Sequence, residues 1–321
     1  MKQTFSLKTG ESLECRVIDR RETNLIPGLR ALLAHKGEIW QLHLEEEFAG
    51  RIKELETRFY VGLIGSDLVG NIMTVEFEGL GIMGHVYTPP EHRRKGICDV
   101  LMDFHMADFR ERKGNALYLN TGFESAPFFI YQKHGYRPIP EAPGSMWWSP
   151  DSWSPDILWG DLERLKIAEP AWRHWPSANV FMLQTCLPAV RNVTYGKFGC
   201  ANAEATFLHL LSDLRNPEKR VQARVLETRD GHMAGLATLV PERRWGSLGT
   251  TYVFDLCVHP NAEDVPEQLA EDFQWPAAHV LAYAADDGTA VVNRYAQMGF
   301  RPHSHIERFF STTGLLILSR E

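Results

Sequence analysis

The chain has 321 residues, a formal net charge of −7, 44% hydrophobic and 23% charged residues. This is the composition of a globular protein with room for two domains, and its charge disfavours nucleic acid and a general membrane-surface role. No run approaches the roughly 18 apolar residues of a membrane span. The cysteines Cys15, Cys98, Cys186, Cys200 and Cys257 form no C-x-x-C pair and are odd in number. That pattern points to a reducing compartment rather than a disulfide framework or a zinc site. With no apolar core of signal-peptide length after Met1, a cytoplasmic location is expected.

Residues 1–20 read as extended: Phe5 and Leu7, then Leu13, Cys15 and Val17, alternate with polar residues. The spacing of Leu25, Leu29, Leu32 and Leu33 predicts a helix from Asn24 to about His35, with Pro27 near its start. A second helix is expected from Leu42 to Glu56. Phe59 to Ile64 is a strand, Gly65-Ser66-Asp67 a turn, and Leu68 to Glu76 the return strand. A third strand, about Ile82 to Thr88, runs into Thr88-Pro89-Pro90-Glu91-His92-Arg93-Arg94-Lys95-Gly96-Ile97-Cys98. From there an amphipathic helix extends from about Lys95 to Arg112, with Gly114 as its stop and Arg110, Arg112 and Lys113 at its negative end. Ala116 to Asn120 is a strand, Ser125 to His134 a short helix ended by Gly135, and Tyr136 to Ile139 and Ser145 to Trp148 are closing strands.

Trp-Ser-Pro-Asp then occurs twice, at 148–151 and 153–156. Prolines so close argue against regular structure, and the domain boundary is placed here, giving domains 1–150 and 151–321. The tryptophans of this stretch, with Trp159, Trp172 and Trp175, either fill an inter-domain seam or line a ligand groove. The second half repeats the first. Val221 to Glu227 and Met233 to Val240 form a hairpin about Arg229-Asp230-Gly231, and strands Tyr252 to Val258 and Ala278 to Ala284 follow. Tyr131-x-x-x-Gly135-Tyr136-Arg137-Pro138 is echoed by Tyr295-x-x-x-Gly299-Phe300-Arg301-Pro302, which indicates a fused duplication. Met182 to Leu187 and Ala205 to Leu214 read as core elements. Leu315 to Leu318 is a strand that either closes the second sheet or crosses to the first.

The turn from Thr88 to Cys98 is the distinctive feature. A strand feeding a basic, glycine-bearing turn and then a helix builds an anion site, because the first N–H groups of a helix lack internal partners and lie at the positive end of its dipole. Gly96 lets the backbone approach an anion closely. The competing reading is an ordinary helix start with solvated basic residues.

Val86 to Cys98, followed by Tyr131-x-x-x-Gly135-Tyr136, resembles the GNAT superfamily of acyl-CoA-dependent N-acetyltransferases. The family's phosphate motif, Gln/Arg-x-x-Gly-x-Gly/Ala, reads here Arg93-Arg94-Lys95-Gly96-Ile97-Cys98, and Cys98 departs from it. The resemblance covers residues 13–148 well and the second half in outline. It implies an α/β fold with mixed sheets, in two tandem GNAT-like domains, the first catalytic and the second degenerate. It implies acetyl-CoA as co-substrate, its diphosphate held by N–H groups from about Arg94 to Cys98, with Arg93, Arg94 and Lys95 at the rim. Backbone groups of Val86, Tyr87 and Thr88 would pair with the pantetheine amides, and the N–H of Val86 would polarise the thioester carbonyl. Leu119 to Thr121, including Asn120, would form the other side of the gap. Tyr131 would lie near the sulfur and protonate the departing thiolate.

The base is not identified. Ile82 stands where some family members carry a glutamate; His85, Glu76, Glu78 and Glu124 read as ordinary residues, and a water relay is open. His134 reads as a helix-end histidine favoured by the dipole. The expected acceptor is a small amine, an amino sugar or a peptide amine, attacking directly in a ternary complex. No nucleic-acid or membrane partner is expected, and the oligomeric state is left open. Two other classes stay open: a GNAT-like acyl-CoA decarboxylase or S-acyltransferase acting on a carrier protein, and a non-enzymatic acyl-CoA sensor. In the second copy, Val258-His259-Pro260 is followed by Asn261-Ala262-Glu263-Asp264-Val265-Pro266, without a basic residue or glycine, so no cofactor is expected there.

Overall fold

The structure is a computed structural model that describes residues 1–19, 24–160, 162–242, 251–262, 268–310 and 312–321. By its contacts the chain divides into two units, Met1–Ser154 and Pro155–Glu321.

The first unit runs β1 (Lys2–Ser6), β2 (Ser12–Ile18), α1 (Ile26–Leu33), α2 (Glu38–Phe48), β3 (Glu56–Ile64), β4 (Asp67–Phe77), β5 (Leu80–Tyr87), α3 (Ile97–Glu111), β6 (Ala116–Asn120), α4 (Ala126–Lys133), β7 (Arg137–Pro138) and β8 (Ser145–Trp148). Its sheet has the order β1-β2-β3-β4-β5-β6-β8-β7, and only β5 and β6 pair in parallel. Neighbouring residues of a strand face opposite sides. Accordingly Phe59 meets Phe48 of α2, while Tyr60 meets Phe104 of α3. The sheet is thus sandwiched, α3 on one face and α2 on the other. The helix expected to reach Glu56 ends at Phe48, because Gly50 takes a left-handed φ of +68° and its N–H returns to the Glu47 carbonyl.

Two features set α3 on the sheet. Gly62 and Gly70 face each other across β3 and β4. A Cβ on Gly70 would lie 2.8 Å from Leu101 and 2.9 Å from Ile97, so this glycine lets the first half of α3 sit directly on the backbone. At the other end Arg112 donates to both Glu76 oxygens at 2.8 Å, to Asp108 at 2.9 Å and to the Tyr60 hydroxyl at 3.2 Å. Tyr60 in turn donates to Asp108 at 2.6 Å.

The second unit contains β9 (Lys166–Ala168), α5 (His174–Met182), β10 (Val190–Asn192), β11 (Lys197–Phe198), α6 (Glu204–Leu214), β12 (Gln222–Glu227), β13 (Met233–Pro241), β14 (Tyr252–Val258), β15 (Val280–Ala285), α7 (Thr289–Gln297), β16 (Arg301–Phe310) and β17 (Thr313–Arg320). Its main sheet reads, in reverse, β9-β12-β13-β14-β15-β17-β16. Every pairing is antiparallel except β14 with β15. Strand for strand this is the order and sense of β2-β3-β4-β5-β6-β8-β7. Leu315 to Leu318 therefore closes the second sheet, as part of β17. Between β14 and β15, where the first unit has α3, the described residues form only short single turns at Pro260–Ala262 and Gln268–Ala270. Glu263 to Pro266, part of the segment expected to lack an anion site, lie outside the described residues.

The tryptophans serve as packing within each unit. Trp153 packs on Trp147 with ring centroids 6.0 Å apart and the rings tilted by 55°. Trp159 is 1% exposed and donates to the Met233 carbonyl at 3.0 Å. Among the described residues no helix is long and apolar enough to cross a membrane.

Candidate acyl-CoA site in the first unit

The site begins where β5 and β6 part. They pair at Leu80 with Ala116, Gly81 with Leu117 and Ile82 with Tyr118, and no further. Residues 83–87 on one side and Leu119 and Asn120 on the other flank an opening wedge. On its β4 side β5 is bulged. Asn71 pairs with Tyr87 and Met73 with Gly84, so Ile72 alone opposes both His85 and Val86. His85 takes a left-handed φ of +51°, and its carbonyl accepts from the Asn71 side chain at 3.0 Å. The bulge turns the His85 side chain towards α2, against Trp40 and parallel to His43 at 6.3 Å. Val86 packs against the α3 core instead.

Beyond β5 the chain makes a tight basic turn. Arg94 (φ +64°) and Gly96 (φ +90°) are both left-handed, a pattern that bends successive N–H groups towards one concave side. Gly96 is also the N-cap of α3, where Ile97, Cys98 and Asp99 offer N–H groups with no partner inside the helix. Sequence and geometry agree on the turn, but the side chains are distributed differently from expectation. Arg93 donates to the Thr88 carbonyl at 3.1 Å, so it braces the loop. Thr88 lies past the end of β5, and its carbonyl accepts from Arg93. Lys95 is bound to Glu11 at 2.9 Å instead of standing free at the rim. Lys8, which the sequence reading missed, lays its methylenes 3.9 Å from where a Gly96 Cβ would be. Nothing local in the sequence links a residue of the β1–β2 turn to the start of α3; only the sheet order does.

Tyr131 of α4 is 7% exposed and belongs to the same core cluster as Ile97 and Leu101, with Val86 and Cys98 packed at its edge. Its hydroxyl has no hydrogen-bond partner among the described residues, and burial raises its pKa, so it is a protonated phenol. Burial also pushes the Cys98 thiol up to about 11. Polar contacts tie α4 and its C-cap to α3: Lys133 pairs with Asp99 at 2.9 Å, and the His134 ring lies 3.3 Å from Asp99 and 3.2 Å from Asp103. His134 is therefore a tie between helices as well as a helix end. Asn120 donates to the Ser145 hydroxyl at 3.1 Å and holds the far side of the wedge.

On the α1 side a groove of about 540 Å³ runs past Leu25, Gly28, Ser66, Asp67, Tyr87, Pro89 and Glu91. Its charged lining residues, among those described, are Asp67 and Glu91. Of the residues weighed as bases, Glu76 is committed to Arg112. Burial and the neighbouring His43, Lys36 and His35 hold His85 well below the usual histidine range. No cluster of potential metal ligands exists among the described residues.

In the second unit β14 and β15 also part, after Val253–Leu281, but the bulge is missing. The β13–β14 register is unbroken from Gly235–Val258 to Pro241–Tyr252. The Tyr295 hydroxyl accepts the Leu256 N–H at 3.2 Å, so a backbone donor of β14 is already engaged.

Residues 56–138, which hold β3 to β7 with the wedge, the turn and Tyr131, match the family model of the acetyltransferase (GNAT) domain. The first unit thus carries a GNAT-type acetyltransferase domain. Among solved structures, the chain is similar to the GNAT domain of S. lividans PAT, with 11% identity, TM-score 0.36, and coverage of 46% of this chain and 97% of that one. It is similar to a tandem GNAT protein from the clavulanic acid biosynthesis pathway, with 13% identity, TM-score 0.36, and coverage of 96% and 98%. It is also similar to paia N-acetyltransferase from Thermoplasma acidophilum in complex with coenzyme A, with 16% identity, TM-score 0.32, and coverage of 43% and 99%. No curated protein matches the chain.

Proposed function

We propose that the protein transfers an acetyl group from acetyl-CoA to an amine, in a ternary complex formed in the first unit. The observation that carries this reading is the wedge between β5 and β6 leading to the left-handed turn at Arg94 and Gly96, with Tyr131 beside it. The diphosphate would sit on the N–H groups at the start of α3, where Gly96 permits close approach. The acyl arm would lie in the wedge, its thioester oxygen on the Val86 N–H. A neutral amine attacks the carbonyl carbon, the C–S bond breaks, and the thiolate takes the phenolic proton of Tyr131. Burial keeps the phenol protonated before the thioester is attacked. The ammonium proton leaves to water, and the Tyr131 phenolate takes a proton back from water to reset the site. The groove past Tyr87 supports an amine acceptor, since Asp67 and Glu91 favour a positively charged one.

The test is a panel of small amines, amino sugars and peptides with CoA thiol release as readout. Tyr131→Phe is expected to lower kcat about 10²-fold or more, with the KM for acetyl-CoA little changed. Wild-type turnover by this variant at saturating substrate would remove the acid role. Acetyl-CoA binding without thiol release across the whole panel would favour a sensor.

A further inference from the structure

The bulge in β5 has an identifiable cause. Asn71 is fully buried, and its amide nitrogen makes its one side-chain hydrogen bond among the described residues, to the His85 carbonyl at 3.0 Å. Its Oδ1 is buried with no partner. A leucine of similar size would leave no such orphan, so the asparagine is not the choice that packing alone favours. No described peptide is cis. In a trans peptide the N–H of a residue points opposite to the preceding carbonyl. Asn71 belongs to β4, so holding the His85 carbonyl to it directs the Val86 N–H away from β4, to the side where β6 has parted from β5.

We propose that Asn71 is a positioning residue: by fixing the His85 carbonyl it keeps the Val86 N–H aimed into the wedge, where the thioester oxygen would be polarised. This rests on the reading of Val86 given above. The second unit supplies an independent contrast. Carried from the shared signature through the strand pairs, Arg137–Trp147–Tyr118–Ile82–Val75 in one unit and Arg301–Ser319–Leu281–Val253–Val240 in the other, Leu236 stands where Asn71 stands. There the register is unbroken, and the Leu256 N–H is consumed by Tyr295. The same frame without the asparagine has no bulge at this place.

The experiment is isotope-edited infrared spectroscopy of [1-13C]acetyl-CoA bound to the full chain, which reads polarisation of the carbonyl without an acceptor. Wild type is expected to shift the C=O stretch down relative to free acetyl-CoA. Asn71→Leu and Asn71→Val, neither of which can donate to the His85 carbonyl, are expected to lose most of that shift. Their kcat should fall about 10- to 100-fold, while affinity for CoA itself stays within about twofold. Should Asn71→Leu fail to fold, Asn71→Val carries the test. A folded variant with the wild-type shift and turnover overturns the proposal. So does a variant whose CoA affinity and melting temperature fall together while the bound carbonyl keeps its shift, the signature of a structural role alone. Replacing residue 86 by the α-hydroxy acid analogue of valine removes the N–H. If that leaves the shift intact, the reading of Val86 itself fails. If it abolishes the shift while the Asn71 variants retain it, only the role of Asn71 fails.

Discussion

At the scale of single residues, two glycines define what the site can admit. Gly96 is left-handed at the N-cap of α3, so any side chain there is strained, and a glutamate adds charge where a diphosphate would lie. Gly96→Glu is expected to weaken CoA binding about 100-fold or more, measured by calorimetry, with the far-ultraviolet circular dichroism unchanged. Gly84 is different. Its φ is not left-handed, and a Cβ there would meet nothing within 4 Å. It borders the bulge on the face of β5 turned towards Tyr87 and the acid-lined groove. Gly84→Leu is expected to raise the KM for the amine while leaving CoA affinity intact; a fall in CoA affinity alone would place the hollow on the cofactor path instead. Gly96 was legible in the sequence because a glycine that follows three basic residues and opens an amphipathic helix is itself the pattern of an anion turn. Asn71 and His85 were not. A left-handed histidine carries no sequence mark, and the pairing that makes it a bulge exists only once β4 and β5 are in register.

Among elements, α3 is the one whose placement decides the site, and it is held at both ends by different physics. Its first half rests on Gly70 through close packing. Its last turn depends on Arg112, and removing that guanidinium leaves Glu76, 3% exposed, as an unpaired buried charge. Arg112→Ala is expected to destabilise the first unit by ~3–5 kcal/mol, read from chemical denaturation. The helix also buries His105, whose two ring nitrogens have no partner among the described residues. Burial lowers its pKa from 6.5 to about 3, and that of His43 likewise to about 3. Both are depressed in the folded state, so their neutral forms favour folding above pH 6.5, and that stability is lost as pH falls from 6.5 towards 3. Each contributes a slope of about 1.4 kcal/mol per pH unit in that window. His105→Leu is expected to flatten the acid limb of the stability profile by one such slope; an unchanged limb would show that His105 is not kept neutral. The amphipathic pattern placed α3 correctly to within two residues, but its polar ties to Glu76 and Tyr60 are long-range and could not be read from spacing.

For the whole molecule, the chain presents one frame twice with different consequences. The strand orders coincide from β2 to β8 and from β9 to β17, and the repeated Tyr-x-x-x-Gly-aromatic-Arg-Pro signature made that duplication legible. The signature did not disclose that the two tyrosines do opposite things. The Tyr131 hydroxyl has no partner among the described residues, whereas Tyr295 accepts the Leu256 N–H of its own sheet. Each is a buried phenol on a short helix, so the sequence could not separate them. One acetyl-CoA per chain is the expected stoichiometry in calorimetry, and two equivalent sites would contradict the functional contrast between the bulged β4–β5 pair and the unbroken β13–β14 pair.

The Tyr295–Leu256 hydrogen bond has a thermodynamic corollary. A sheet that meets its own backbone donor needs no ligand to complete it, whereas a sheet with an N–H aimed into an open wedge is completed from outside. CoA at 100 times its dissociation constant should therefore raise the stability of the first unit by about 2.7 kcal/mol and leave the second where it was. Heating with and without CoA should pull a single unfolding transition apart into two, of which only the upper one moves with ligand concentration. In that sense the second unit is a built-in reference, a copy of the frame already saturated by its own side chain.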